Sequence, residues 1–364
     1  MKNKLQALKK NHLYRSLVES DALDAISIKR KNKTYISFCC NDYFGLSQDS
    51  RVKKAAIAAI KKYGVGARAS RYVTGNNSLY KKLEKAIAKF KNCEDAIVFS
   101  SGYAAAIGVI PALVGEGDLI VADKLIHSSL LDGSKLSGAK LMRFLHNDIA
   151  NAKKILAENR SNFKKCLIIT ETVFSMDGDL GKIEELAKLA EEFDCLFLTD
   201  DAHGLRMVKN YHNFLQLGTL SKAIGTLGGY IASDKTTIDY LRNFSKSQIY
   251  STALPPAILA AAIESLKIIS KKNLGKKALE NAQYFAKLMN LPKPESAIIA
   301  IIIGDNKKTL EIAKKITKQG FLISAIRPPT VPKDTARLRL TFSAEHYKSH
   351  IEKLVKILKK ELNI

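Results

Sequence analysis

The sequence predicts an α/β protein in which a large domain, built on a mainly parallel seven-stranded sheet covered by helices, is followed by a smaller α+β domain. Three observations lead there. From about residue 95, short apolar runs alternate with helical segments, the rhythm of strands joined by helical crossovers. The chain has 364 residues, 46% of them apolar, enough to bury a large core and to divide into more than one domain. Near the Lys-rich, Gly-containing stretch KKNLGKK the rhythm changes, which places a boundary there.

Taken in order, residues 1–38 form an N-terminal arm or helix, because MKNKLQALKKNHLYRSL alternates charge with single apolar residues. Residues 39–268 form the large domain. In it DAIVFSS precedes GYAAAIGVIPALV, LIVAD precedes HSSLLDGSKLSG, KLMRFLH precedes DIANAKKILAENR, KCLIITETVFS precedes KIEELAKLAEEF, and CLFLTDDAHG follows. Two more strand-like runs, NFLQLGTLS and TLGGYIASD, complete the seven, and helix-prone sequence continues through IESLKIISKKN. Residues 269–364 form the smaller domain, with ALENAQYFAKLMN, KTLEIAKKITKQG and IEKLVKILKKEL as helices and SAIIAIIIGD and ARLRLTFS as strands. No internal repeat or low-complexity linker interrupts the chain.

Composition removes several classes of function. The start of the chain has no continuous apolar segment of the signal-peptide kind, and no apolar run approaches the ~20 residues of a membrane span, so a soluble, cytoplasmic protein without a membrane partner is expected. The five cysteines (Cys39, Cys40, Cys93, Cys166 and Cys195) lack CxxC spacing, which indicates reduced thiols, with no disulfide framework and no metal site. Lys and Arg number 59 against 35 acidic residues, a net charge of +24. Most of the excess is lysine spread along helices such as KKLEKAIAKFKN, an ordinary solvated surface. A basic nucleic-acid-binding protein is the alternative that this charge raises; no RNA-binding or zinc-finger signature accompanies it, and no nucleic-acid partner is expected.

In open α/β sheets, ligands bind beyond the carboxyl ends of the strands. There DDAHG sets Asp200, Asp201 and His203 where burial makes an unpaired charge costly, so one of the aspartates needs a compensating group; a helix cap or a backbone hydrogen bond is the simpler explanation of either carboxylate taken alone. In GTLSKAIGTLGG, Lys222 sits among small residues that admit a planar ligand, and a lysine shielded from water can serve as an amine nucleophile toward an aldehyde. FSSGYAAAIGV leads from a strand through Ser-Gly into a helix, whose free amides can hold a phosphate, although a tight turn explains the glycine nearly as well.

Their order along the chain is phosphate turn, histidine, carboxylate with histidine, then lysine. With NDYFGLS, GVGARASRYVTGN, FSSGYAA, HSSLLDG, FLHND, TETVFSMDGD, DDAHG, TLSKAIG, YSTALPP and IRPPTVPKDTARLRLTFSAEH, the chain resembles the α-oxoamine synthases, fold-type I enzymes dependent on pyridoxal 5'-phosphate (PLP). The resemblance runs from Asn41 almost to the C-terminus. It implies that Lys222 holds PLP as an imine and acts as catalytic base, that Asp200 pairs with the pyridine nitrogen, that His203 bonds the ring hydroxyl, and that His127 stacks on the ring. Gly102, Tyr103, Ser175 and Thr219 would bind or orient the cofactor and its phosphate. Thr252 would reach the phosphate from the neighbouring subunit of a homodimer with shared active sites. Ser175 and Thr219 also suit turns or caps, and Thr252 also suits the residue before a proline-started helix.

Members of this family condense a small amino acid with an acyl thioester and release CO2. The IRPPTVP segment resembles most closely that of the acyltransferase that joins L-alanine to pimeloyl-CoA, or to the pimeloyl thioester of an acyl carrier protein, in biotin biosynthesis; glycine with acetyl-CoA is the alternative pair. On this resemblance Arg339 grips the amino-acid carboxylate, with Arg337 on the same strand face as a competitor, Asn41 helps to place that carboxylate, His127 and Thr330 contact substrate, and Arg15 lies near the acyl substrate. The departures are alanines in GVGARASRYVTGNN and the less glycine-rich SKAIG.

Overall fold

The computed structural model describes residues 1–206 and 214–364. The chain packs as two compact units, one of residues 46–174 and 180–273, the other of residues 1–45, 175–179 and 274–364.

The first unit is organised by seven strands: β1 (Asp95–Phe99), β2 (Leu119–Asp123), β3 (Lys140–Phe144), β4 (Cys166–Glu171), β5 (Leu196–Asp200), β6 (Leu215–Thr219) and β7 (Gly229–Ser233). Asn213, which opens the run expected for the sixth strand, lies outside the described residues. The spatial order is β1-β7-β6-β5-β4-β2-β3. Only β7 runs against its neighbours; the others are parallel to one another. Successive residues of a strand point to opposite faces, and both faces are covered. Ile120 and Ala122 of β2 pack in one apolar cluster with Ala105, Leu130 and Ile238. Leu119 and Val121 pack in the other with Leu156 and Leu186. This two-sided burial is why the strands read as unbroken apolar runs.

The helices that supply those covers are α3 (Gly102–Leu113), α4 (Ser128–Ser137) and α7 (Lys235–Phe244) on one face, and α5 (Ile149–Asn159) and α6 (Ile183–Glu192) on the other. Outside this layer, α8 (Pro256–Lys271) packs on α1 (Ser50–Tyr63) and α2 (Ser78–Lys91). Asp49 caps α1 and Asn77 caps α2, each accepting a main-chain N–H two residues on, which satisfies donors that a helix start leaves open. Among the described residues, no helix is long and apolar enough to cross a membrane.

The second unit holds a three-stranded antiparallel sheet in the order Ile298–Gly304, Ala336–Thr341, Ser324–Ile326, with helices Leu274–Leu288, Asn306–Lys318 and Lys348–Leu362. The opening of the chain is helical only over Lys2–Lys10, where no residue is buried. Beyond it, Ser27–Arg30 and Lys33–Ser37 form an antiparallel hairpin, extended by a parallel pairing with Phe321–Leu322. SIKRKNKTYIS signals that hairpin in hindsight: two short alternating runs flank a polar turn in which Lys31 takes a positive φ of 53°.

His346 joins the pieces of this unit. Its ring stacks on Phe38 at 4.0 Å, Nδ1 accepts the N–H of Ser343, and Nε2 lies 2.9 Å from the carbonyl of Ser37. These partners require the neutral ring, and burial lowers its pKa to about 4 from an ordinary 6.5. A base depressed on folding adds stability above its unfolded pKa and loses it as pH falls toward the folded value, so the window is pH 6.5 to 4. The group accounts for at most about 3 kcal/mol across it. Urea unfolding at pH 7 and pH 4.5 should show a decline in stability that is shallower in His346→Phe, which keeps the stack and cannot titrate; equal declines would remove His346 as a cause.

Candidate active site

Parallel strands deliver their carboxyl ends to one edge of the sheet. Asp123, Glu171, Asp200 and Thr219 end β2, β4, β5 and β6 there. A pocket of about 150 Å³ forms against this edge, and its lining includes Gly102, Tyr103, His127, Asp200, His203, Thr219 and Lys222 together with Glu171. A larger cavity of about 460 Å³ lies at the opposite, amino ends of the strands, beside Arg160, Cys166, Cys195 and Tyr240. It gathers no set of lysine, histidine and buried carboxylate, so size does not mark the site here.

The carboxylates end neighbouring strands, and the amine and an imidazole come from the loops that follow them. Lys222 follows β6, and its Nζ lies 2.6 Å from Nε2 of His203, which follows β5. Asp200 is buried, and its Oδ1 accepts the N–H of Ala202 at 2.9 Å. Burial pushes its carboxyl up in pKa, while Lys222 and His127 work in the other direction. His127 caps α4, with Nδ1 2.8 Å from the hydroxyl of Ser129, and burial pulls its imidazole down.

The adjacent aspartate is spent on structure. Asp201 Oδ2 lies 2.8 Å from Nζ of Lys91, with both side chains buried, and Oδ1 accepts the hydroxyl of Thr172 at 2.8 Å. Of the two aspartates, Asp200 therefore remains as the one that faces the pocket. Lys91 carried no signal in KKLEKAIAKFKN, where it is one lysine among several; its burial is visible only in the fold.

At the start of α3, Ser101 accepts the N–H of Ala104 at 3.0 Å, and Gly102 and Tyr103 begin the helix beside the pocket. A Cβ at Gly102 would rest 3.4 Å from Cβ of Thr219 and 3.6 Å from its hydroxyl, so the helix start and Thr219 lie side by side. Thr219 donates its hydroxyl to the carbonyl of Gly228 at 2.9 Å. Tyr103 points its hydroxyl to Asp132.

This set fits PLP: helix-start amides for a phosphate, a buried carboxylate for a pyridine nitrogen, two imidazoles, and a lysine amine. Among the described residues, the buried oxygen Oε1 of Glu171 has no hydrogen-bond partner, which agrees with a pocket shaped for a further polar group. Sequence inspection passed over Glu171, although a carboxylate that ends a strand buried throughout was an available signal. Thr252 does not line this pocket; it is exposed and pairs in an isolated bridge with Ser70. Among the described residues, no group of three or more His, Cys, Asp or Glu side chains is arranged to hold a metal ion.

The remaining residues lie in the other unit and form two clusters. Arg339 is buried, donates Nε to the carbonyl of Ser175 at 2.5 Å, and lies 3.5 Å from Oδ1 of Asn41. Beside it the Tyr43 hydroxyl is pushed up to about 12 by burial, which Arg339 partly offsets. Arg337 is paired with Asp177 and also donates to Thr335. In the second cluster Nη2 of Arg15 donates to the hydroxyl of Thr330 at 2.8 Å, across 315 positions of sequence.

Comparison with known proteins comes from three directions. The family model for aminotransferases of class I and II matches residues 33–358. The 8-amino-7-oxononanoate synthase of Beijerinckia indica is 44% identical over 355 residues, covering 94% of this chain and 92% of its own. Among solved structures, the 8-amino-7-oxononanoate synthase of Francisella tularensis has a TM-score of 0.77 at 28% identity, covering 90% of this chain and 98% of its own. A serine palmitoyltransferase variant from S. paucimobilis, with a bound PLP–myriocin aldimine, has a TM-score of 0.90 at 25% identity, covering 99% of this chain and 96% of its own.

Proposed function

Because the chain belongs to the 8-amino-7-oxononanoate synthases, PLP-dependent acyltransferases of fold type I within the class I and II aminotransferase family, we propose that it joins L-alanine to a pimeloyl thioester. The α-carbon of alanine bonds to the thioester carbonyl carbon, the carrier thiol leaves, and the alanine carboxyl departs as CO2. The observation that carries this proposal is the convergence of Lys222, His203, Asp200 and His127 on one pocket in a chain of this family.

Bound PLP supplies an electron sink for negative charge at the α-carbon of the amino acid. Everything else falls to the chain's own groups. Gly102, Tyr103, Ser175 and Thr219 hold the phosphate and orient the ring, His203 bonds its hydroxyl, and His127 covers its face. Asp200 keeps the proton on the pyridine nitrogen, a task for a buried carboxylate that accepts the Ala202 amide and faces nearby positive charge. Nζ of Lys222 takes the proton from the α-carbon, and the His203 ring beside it orients that amine. Arg339 grips the carboxylate of alanine with a planar, two-pronged donor, and Asn41 sets its angle. Arg15 and Thr330, already joined by a hydrogen bond, contact the acyl substrate.

We assign the working form as a cytoplasmic homodimer in which Thr252 serves the neighbouring subunit's phosphate. Tyr72, Val73 and Tyr250 are 52%, 75% and 82% exposed on the two segments that the Ser70–Thr252 bridge brings together. Large apolar side chains left in water at one place favour burial against a second copy.

A substrate comparison tests the reading. Thiol release with L-alanine and pimeloyl-CoA should exceed that with glycine and acetyl-CoA by at least about tenfold in kcat/KM, the scale on which a pocket discriminates by chain length. Preference for the glycine pair would move the chain to the glycine C-acetyltransferase reaction.

A further inference from the structure

Glu171 is a buried acid with no part in the reaction just described. It ends β4 in register with Asp200 at the end of β5. Adjacent strands lie about 4.8 Å apart, and residues paired across them share a face, so the two carboxyls are close neighbours. Both are buried. The charged groups that act on Glu171 come from three elements, Asp200 from β5, Asp123 from β2 and Lys222 from the loop after β6, and the start of α4 adds the main-chain N–H of His127. Asp123 is already engaged by His146 and the N–H of Asn147.

Two carboxylates this close and this dry are not both ionised beside a single lysine. Asp200 is the better home for the charge, since the Ala202 N–H, Lys222 and His127 all favour its ionised form. Glu171 receives the main-chain N–H of His127, yet its Oε1 is buried without a donor among the described residues. An ionised carboxylate with an unserved oxygen is costly in such a place, whereas a carboxylic acid can turn that oxygen into a donor.

We infer that Glu171 stands in the site as a neutral carboxylic acid, a positioning residue that keeps the negative charge of the carboxyl pair on Asp200. The inference rests on the reading that Asp200 serves the ring nitrogen of PLP. Its consequence is that the pocket presents one anion and one neutral hydrogen-bond donor, where the sequence alone shows two acids.

The test uses infrared difference spectra of the full-length chain, free of cofactor and loaded with PLP, for wild type against Glu171→Gln at pH 7.5. Wild type should show the carbonyl stretch of a protonated carboxyl group that shifts on 13C labelling of glutamate and is absent from Glu171→Gln. Loss of carboxylate bands only would overturn the inference. PLP affinity and the pH midpoint of the bound cofactor's visible band give a second readout. Glu171→Gln, a neutral mimic, should bind PLP within about threefold of wild type with its midpoint little moved, whereas Glu171→Leu, which cannot hydrogen-bond, should bind roughly tenfold more weakly. A midpoint displaced by about one pH unit or more in Glu171→Gln would mean that a charge had been removed, and would also overturn it. Failure of the underlying functional reading is separable: wild type would then show no PLP band, while the infrared result on cofactor-free protein would stand.

Discussion

Lys222→Ala is expected to abolish the visible band of the purified enzyme and to cut kcat by a thousandfold or more, on the order expected when a covalent anchor and a general base disappear together. Borohydride should fix PLP onto the wild-type chain at Lys222 and onto the variant nowhere. The physical case lies in the amine's surroundings. Nζ sits 2.6 Å from the His203 ring in a pocket that also contains the buried carboxyl of Asp200. Many of the chain's other lysines lie on solvated helix faces, and Lys91, which is buried, is committed to Asp201. Among the described residues, no other lysine lines the pocket. Turnover within tenfold of wild type would require a different amine and would remove the assignment.

Arg339→Met should raise KM for L-alanine, lowering kcat/KM by about a hundredfold. That corresponds to roughly 3 kcal/mol, the upper range for a charge-assisted hydrogen bond to a carboxylate. Arg339→Lys should recover only part of this, because an ammonium keeps the charge and loses the planar fork. The control is Arg337→Met. Arg337 lies two residues along the same strand, but its guanidinium is already paired with Asp177. Its loss should therefore appear as a lower urea midpoint with KM for alanine unchanged, since it strands a partly buried carboxylate rather than a substrate. If KM rises in the Arg337 variant and not in the Arg339 variants, the roles are exchanged.

The seven strands of the large sheet were legible because each is buried on both faces and so reads as an apolar run, with helical sequence between. The hairpin at Ser27–Ser37 was not, because its strands are half-exposed and short, and a lysine-rich turn hides the alternation. At the site, the residue order led to Lys222, Asp200, His203 and His127, and the structure sets all four in one pocket. The small residues around Lys222 were less informative. Gly218 in GTLSKAIG suggested room for a planar ligand, yet a Cβ there would strike the Tyr230 ring at 2.3 Å, so that glycine makes space for the chain's own aromatic side chain.

By itself the sequence determined the period of the strands and the order of the chemical groups, because these depend on neighbours along the chain, and that order is what singles out Lys222 among many lysines. It left open which of two aspartates and which of two arginines was free to act. The fold pairs Asp201 with Lys91, 110 positions away, and Arg337 with Asp177, 160 positions away. The reason is that desolvation and Coulomb energy depend on distance in space and on burial. A partner that neutralises a charge is invisible until folding brings it within a few ångströms.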